Sequence, residues 1–375
     1  MAGIYVHVPF CSQACHYCDF HFSTSLKNVQ NVIDCIKKEL TLQRSYLQGK
    51  TVNTIYFGGG TPSILQPDLL HDIINVIKNN FNLEKELECT IEVNPEDVSL
   101  TKLDNWFKCG INRISIGVQS FIERDLKFMN RAHTKQQSIG ALQLIKQSNI
   151  KNINADLIYG YPQLTLRDWQ NNLKKLIEFK IQHISCYCLT VEKKTALFNF
   201  ILNNQCEPID PEQGVKHFLI ARDILIESGY QHYEISNFSL ENHQSLHNKN
   251  YWNKTHYLGV GPSAHSYNGR SRQWNVKNNA IYCNKIKKNE LFYELENLTN
   301  KNIINEYILT SLRTFNGLDL NYIADRINNN EYLQFTNELI KLEKSGFLTT
   351  KDNVIQLNEK GMLFADSISS QLFLI

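Results

Sequence analysis

The stretch Ile4–Cys18, IYVHVPFCSQACHYC, joins an apolar run to a loop with three cysteines. Its first part, Ile4–Val8, is rich in β-branched residues and predicts a buried strand. Cys11, Cys15 and Cys18 follow almost directly. A strand that carries chemically reactive side chains just beyond its carboxyl end is typical of α/β folds, in which the site lies at that edge of a parallel sheet.

The same unit recurs through the first two thirds of the chain: a short β-branched or aromatic run, a loop and an amphipathic helix. Such alternation predicts parallel strands joined by helical crossovers. We therefore predict an α/β fold in which six β/α units form a partial, TIM-like barrel. The predicted strands are Ile4–Val8, Thr54–Phe57, Glu88–Val93, Arg113–Val118, Asn152–Ile158 and His183–Leu189.

The pattern changes beyond Asp210. We predict a helix to about Ser228 and an irregular, Tyr-rich and His-rich stretch over residues 230–274. A domain boundary near Glu290 divides the chain into residues 1–290, the barrel, and 291–375. The second part is mostly helical, with a strand pair between Leu348 and Leu357, and resembles a small winged-helix-like module.

Composition excludes several classes of protein. The 375 residues have a formal net charge of +2, and no long block of one sign indicates a nucleic-acid partner. The apolar start, Met1–Phe10, is too short for a membrane span and lacks the features of a signal peptide. We therefore expect a cytoplasmic protein without stable membrane insertion, in which clustered cysteines bind metal.

The cysteine loop favours an iron–sulfur cluster. Three thiolates can ligate three irons of a 4Fe-4S cluster and leave the fourth iron open. An open iron can bind the amino and carboxylate groups of S-adenosylmethionine (SAM), whose sulfonium bond an electron from the cluster then breaks. The alternatives are three packed thiols or a structural zinc site completed by His16 or His21.

Other polar positions lie at the predicted strand ends. The run Gly58–Pro62, GGGTP, follows the second strand and lets backbone groups approach a ligand closely. Because the strands converge, four further side chains are candidates to contact the ribose and the methionine part of SAM. They are Glu92, Gln119, Arg131 and Asp156.

These motifs resemble the radical SAM superfamily. Over residues 1 to about 290, they resemble the branch that contains oxygen-independent coproporphyrinogen-III oxidase and the HemW haem chaperones. The resemblance implies a 4Fe-4S cluster on Cys11, Cys15 and Cys18. It also implies SAM contacts from Tyr5, Gly59, Gly60, Thr61, Glu92, Gln119, Arg131 and Asp156.

Two departures separate the chain from the oxidases of this branch. The oxidases have a fourth cysteine two residues after the third, where this chain has Phe20. They also have an N-terminal extension, for which a loop that begins at Cys11 leaves no room. We therefore do not expect an active coproporphyrinogen-III dehydrogenase, although this activity is the alternative function.

The segment His247–Trp252, HNKNYW, is similar to the haem-binding motif of the HemW type. A neutral imidazole at His247 is a common iron ligand, Tyr251 and Trp252 supply flat apolar faces, and Asn248 could orient the ring or a propionate. The alternative is a purely structural role, with a histidine and two aromatic residues packed in a loop.

Other side chains could ligate the haem iron. They are His243, His256, His265, Cys186 and Cys188, of which the two cysteines are more simply interpreted as buried core thiols. We predict a haem chaperone that passes haem to an acceptor protein. The sequence identifies neither the acceptor nor an electron donor.

Overall fold

A parallel sheet occupies the centre of the first part of the chain. In the computed structural model, which describes residues 1–375, all six predicted strands form close to their expected bounds. They are parallel and neighbour one another in sequence order, so the α/β fold with an unclosed, partial barrel is confirmed. Their bounds are β1 Ala2–Val8, β2 Val52–Gly59, β3 Leu83–Val93, β4 Arg113–Gln119, β5 Asn152–Tyr159 and β6 His183–Cys188.

Amphipathic helices pack against this sheet and share a core of 62 buried residues with it. Several begin at a hydroxyl or carboxylate that accepts from the first turn, as Thr134 and Thr165 do. The helices are α1 Val29–Leu42, α2 Pro67–Asn80, α3 Leu100–Cys109, α4 Glu123–Phe128, α5 Lys135–Gln147, α6 Leu166–Glu178, α7 Ala196–Leu202 and α8 Pro211–Glu227. The helix expected to end at about Ser228 is thus confirmed.

The stretch 230–274 is regular, and its prediction as irregular is wrong. Its strands are short and carry polar or aromatic residues, but the existing sheet supplies their hydrogen-bond partners. Strand β9 pairs in parallel with β1, and β8 pairs with β6, so both sides of the six-stranded sheet are extended. The elements are β7 Gln231–Glu234, β8 Asn237–Ser239, α9 Leu246–Trp252, β9 His256–Val260, β10 His265–Tyr267 and β11 Ser271–Asn275.

Helix α10 Asn279–Lys288 and strand β12 Tyr293–Asn297 complete the first part. Because β12 pairs with β11, the main sheet continues past Glu290. The division at residues 290 and 291 stays a prediction, and we propose a division slightly later, close to Leu298.

The C-terminal module has its own core of 15 buried residues, from Ile304 to Leu372. The predicted strand pair is confirmed as β14 and β15, which form a small sheet with β13. The module comprises α11 Asn300–Leu312, β13 Leu318–Asp319, α12 Leu320–Ala324, α13 Asn329–Lys344, β14 Leu348–Lys351, β15 Val354–Leu357, α14 Glu359–Met362 and α15 Ala365–Gln371. No helix in the chain has the length and apolar character to cross a membrane.

Candidate functional site

The cysteine loop follows β1 and is held by the turn that precedes α5. The Gln13 amide donates to the Asn130 side chain at 2.9 Å, and Asn130 donates back to the Ala14 carbonyl at 2.7 Å. The His16 backbone N–H donates to the Met129 carbonyl at 3.1 Å. These bonds fix the loop from one side, so that its three partly exposed, free thiols face the carboxyl ends of the strands.

Two neighbours donate to the sulfur atoms. Arg131 Nη1 lies 3.4 Å from Cys15 Sγ, and Thr61 Oγ1 lies 3.5 Å from Cys11 Sγ. Burial raises the pKa of Cys18 to about 11 and also raises that of Cys11, which the Thr61 hydroxyl partly offsets. The Cys11 and Cys18 thiols therefore favour their protonated form until a metal displaces the proton.

The side chains do not fit a closed zinc site. His16 Nδ1 is hydrogen-bonded to the Phe128 carbonyl at 2.9 Å, and His21 Nε2 to Asn279 Oδ1 at 2.7 Å. No three His, Cys, Asp or Glu side chains converge on a point where one ion could bind. Three thiols on one loop, without a fourth ligand, fit a 4Fe-4S cluster with one open iron.

A cavity of about 500 Å³ adjoins the thiols at the carboxyl ends of the strands. Its size suits a nucleotide-like ligand. It brings together the three cysteines and seven of the eight residues predicted to contact SAM. These seven are Gly59, Gly60, Thr61, Glu92, Gln119, Arg131 and Asp156.

The glycine run forms one wall by close backbone approach. A Cβ on Gly60 would lie 2.5 Å from the Phe10 carbonyl oxygen, and Gly59 has a φ of +105°. The Gly60 and Thr61 N–H groups donate to the Val8 and Phe10 carbonyls at 2.9 and 2.7 Å. A larger residue at Gly60 would therefore force the run away from the start of the cysteine loop.

Two partly buried carboxylates line the cavity. Glu92 accepts from the Tyr56 hydroxyl at 2.8 Å, and burial raises its pKa to about 7. Asp156 accepts from the Asn154 amide at 2.8 Å, and burial raises its pKa as well. Their remaining lone pairs fit the hydroxyl and ammonium donors of a nucleoside and an amino acid.

Two polar atoms beside the cavity lack partners. Gln119 has a φ of +63°, and its Oε1 is buried without a hydrogen bond. Arg131 donates through Nη2 to Asn94 Oδ1 at 2.6 Å, but its Nε has no partner. Because buried polar groups are normally satisfied, these atoms indicate a ligand that the residues are built to hold.

The structure does not bring Tyr5 to this cavity. Its ring stacks on Tyr56 at 6.1 Å, and its hydroxyl is hydrogen-bonded to His7 Nδ1 at 3.2 Å, deeper in the barrel. Conversely, Asn94 and Tyr187 line the cavity although neither was predicted as a site residue. Their positions in the sequence could have identified them, because Asn94 directly follows β3 and Tyr187 lies near the end of β6.

The prediction of two buried core thiols at the end of β6 is wrong for one of them. Cys186 is buried, whereas Cys188 is exposed and lines the cavity. The strand ends at Cys188, so sheet periodicity no longer determines which side of the chain is covered.

The motif His247–Trp252 lies in helix α9, whose N-cap residue is Ser245. His247 is buried inside the barrel, with Nδ1 2.8 Å from Thr54 Oγ1 and Nε2 3.0 Å from the Tyr251 hydroxyl. Burial lowers its pKa to about 3. Both nitrogens are thus engaged, and the ring lies 4.9 Å from that of Tyr56.

Comparison with known proteins identifies the family. The family model of the radical SAM superfamily matches residues 5–176, and that of the HemN C-terminal domain matches residues 298–364. The heme chaperone HemW of Buchnera aphidicola subsp. Schizaphis graminum is 33% identical over 98% of this chain and 96% of its own. The chain belongs to the HemW family of radical SAM proteins.

Further members of the HemW family match similarly. The heme chaperone HemW of Bacillus subtilis is 28% identical over 98% of both chains, and that of Escherichia coli is 34% identical over 70% of this chain and 69% of its own. Among solved structures, the coproporphyrinogen III oxidase HemN of Escherichia coli matches with a TM-score of 0.85 and 23% sequence identity. The match covers 99% of this chain and 90% of the oxidase chain. That likeness establishes the shared fold.

As a radical SAM protein of the HemW family, the chain takes a 4Fe-4S cluster and SAM as cofactors. The residues present fit both groups. The loop offers three free thiols and no fourth ligand, and the adjoining cavity has unpaired donors and acceptors at Gln119 and Arg131.

Proposed function

We propose that this chain is a haem chaperone, which binds haem and passes it to an acceptor protein in the cytoplasm. The similarity to a protein named heme chaperone HemW over 98% of the chain carries this proposal. Its partners are then haem, the acceptor and an electron donor for the cluster.

In this proposal, Cys11, Cys15 and Cys18 ligate the cluster, and Arg131 and Thr61 donate hydrogen bonds to the sulfur atoms. Such bonds stabilise negative charge on a cluster. When bound, the cluster and SAM supply one-electron cleavage of a sulfonium bond.

The cavity residues hold SAM in this proposal. The run Gly59–Thr61 contacts the methionine end, Glu92 and Asp156 accept hydrogen bonds, and Gln119 and Arg131 use their unpaired atoms. Tyr5 acts indirectly, because it packs against Tyr56 beneath Glu92.

Haem is proposed to bind at the segment that contains His247, Asn248, Tyr251 and Trp252. Aromatic rings and an imidazole within two turns of helix are suited to a porphyrin and its iron. Because both ring nitrogens of His247 are hydrogen-bonded, this residue also helps to hold the segment in position.

Oxidative decarboxylation of coproporphyrinogen III is the rival function. The fold of the Escherichia coli oxidase is shared, but Phe20 stands where the fourth cysteine of the oxidases is expected. Phe20 is 68% exposed at the mouth of the cavity, and it is no ligand for a metal.

One experiment separates the two functions. The cluster is reconstituted anaerobically, and the holoprotein is given either haem, or coproporphyrinogen III with SAM and a reductant. We expect a stoichiometric haem complex by Soret absorbance and no decarboxylated porphyrin by chromatography. Turnover to protoporphyrinogen without haem binding would refute the chaperone proposal.

A further inference from the structure

A second cavity, of about 510 Å³, lies between the edge of the main sheet and the C-terminal module. It shares no lining residue with the SAM cavity. Its walls come from α8, β7, α9, the loop after α11 and the end of α14. The two parts of the chain therefore build this cavity together.

Helix α9 divides the motif between two environments. His247 and Tyr251 lie one turn apart and face the barrel interior, where they are bonded to each other. Lys249 and Trp252 line the second cavity instead. The indole Nε1 of Trp252 is buried without a partner, and the Arg313 guanidinium lies over the ring at 5.5 Å. Within the motif, Lys249 and Trp252 are therefore the residues that face a cavity.

The walls of this second cavity suit a flat dianion. Trp252, Tyr230 and Phe315 supply aromatic surface, and no Asp or Glu lines the cavity. Two cations do: Lys249, which makes no ion pair, and Arg222. The Nη1 of Arg222 pairs with Glu359 at 3.1 Å and with Asp223 at 3.7 Å, but its Nε is buried without a partner. Haem has a planar apolar ring and two carboxylates, which match this combination.

One imidazole, that of His232, lines the cavity. His232 Nε2 is hydrogen-bonded to the Ile235 carbonyl at 3.1 Å, whereas its Nδ1 has no partner. A metal-ligating histidine typically donates its other ring N–H to a carbonyl in this way. Burial lowers the pKa of His232 to about 4, which keeps the imidazole neutral.

We propose that haem binds in the second cavity, with its ring against Trp252 and its propionates toward Arg222 and Lys249, and that His232 ligates the iron. This inference rests on the proposed function and replaces His247 as the iron ligand. His247 instead holds α9 in position through Thr54 and Tyr251.

Haem titration of the full-length holoprotein tests the proposal, with Soret absorbance and resonance Raman spectra as readouts. We expect His232→Ala to lose the histidine–iron signature and to weaken binding by about tenfold or more. His243→Ala is the matched control, because His243 lines neither cavity. Retention of the cluster absorbance and the far-UV circular dichroism shows that each variant is folded.

A second pair of variants does not depend on the buried imidazole. Phe315 is 64% exposed at the second cavity, whereas Phe107 is 45% exposed on α3 and lines neither cavity. Because the new carboxylate repels the propionates, we expect Phe315→Glu to weaken haem binding by about tenfold, and Phe107→Glu to leave it unchanged.

The outcomes distinguish this inference from the proposed function. If the wild type binds no haem, both are wrong. If the wild type binds haem but His247→Ala alone removes the histidine–iron signature, or Phe315→Glu binds haem as tightly as the wild type, the chaperone proposal stands and the second-cavity site is refuted.

Discussion

The Tyr251 hydroxyl supplies one of the two hydrogen bonds that enclose His247. Tyr251→Phe leaves the buried Nε2 of His247 without a partner, so we expect the free energy of unfolding to fall by about 1–2 kcal/mol. Urea denaturation of the protein without its cluster measures the change. Tyr332→Phe is the control, because the Tyr332 hydroxyl makes no side-chain hydrogen bond; equal effects of the two variants would contradict the prediction.

Glu39 is a fully buried carboxylate that lines neither cavity. It accepts from the Asn275 amide at 2.6 Å and the Gly261 N–H at 2.7 Å, and burial raises its pKa from 4.5 to about 7. Between these values the native state keeps a proton that the unfolded chain releases. Its contribution to stability is therefore complete below pH 4.5 and is lost as the pH rises through about 7.

We expect this pH dependence to become shallower in Glu39→Gln, which has no proton to release. Urea denaturation of the apoprotein across pH 5 to 8 measures it, with the exposed Glu227→Gln as the control. A slope in Glu39→Gln equal to that of the wild type would show that other groups cause the pH dependence.

Single residues differ in how far the sequence predicts their place. The positions of Glu92 and Asp156 were predictable, because a carboxylate near the carboxyl end of an apolar strand needs the polar environment that the site provides. Tyr5 and His247 were not. Both belong to an aromatic stack inside the barrel, and nothing in a sequence indicates which rings meet there.

Among the elements, the long parallel strands were predictable and the short ones were not. Strands β1 and β4 are buried at almost every residue because helices and barrel interior cover both their faces. Strand β9 reads HYLGV and β10 reads HSY, and their strand structure depends on pairing with neighbours that are already in place. Local pattern cannot reveal such pairing.

The start of α9 depends on one carboxylate from β3. Glu88 accepts from the Leu246 and His247 N–H groups at 3.0 and 2.9 Å. In Glu88→Gln, an amide N–H faces one of these donors, so we expect α9 to open more often and trypsin to cleave after Lys249 severalfold faster. Glu86→Gln, at an exposed position two residues earlier, is the control; equal cleavage rates in the two variants would count against the prediction.

Over the whole molecule, a chain of buried and partly buried hydrogen bonds joins the two cavities. Asp156 in the SAM cavity accepts from Asn154 at 2.8 Å, and Asn154 Oδ1 lies 2.6 Å from His183 Nδ1. His183 Nε2 lies 2.7 Å from the hydroxyl of Tyr233, which lines the second cavity. A ligand on Asp156 therefore contacts the same network as a ligand beside Tyr233.

We expect SAM to tighten haem binding through this network by about fivefold, and haem to tighten SAM binding equally, since such coupling is reciprocal. Tyr233→Phe removes the hydrogen bond between His183 and Tyr233, so the ratio of haem affinities with and without SAM should fall toward one. Haem titrations with and without SAM measure it in each variant. Tyr46→Phe, whose hydroxyl is buried without a partner, is the control; coupling that survives in Tyr233→Phe would exclude this route.

The pairing of β1 with β9 has a consequence for the order of synthesis. At about 5–20 residues per second, the roughly 250 residues between Val8 and His256 take tens of seconds to translate. Throughout that time β1 has β2 on one side at most and an open edge on the other. The cysteine loop that follows β1 leaves the ribosome well before β9 does, yet β1 is enclosed on both sides only when β9 has paired with it. Its thiols must therefore stay reduced well before the fold protects them, so the nascent chain depends on a reducing environment sooner than the finished protein does.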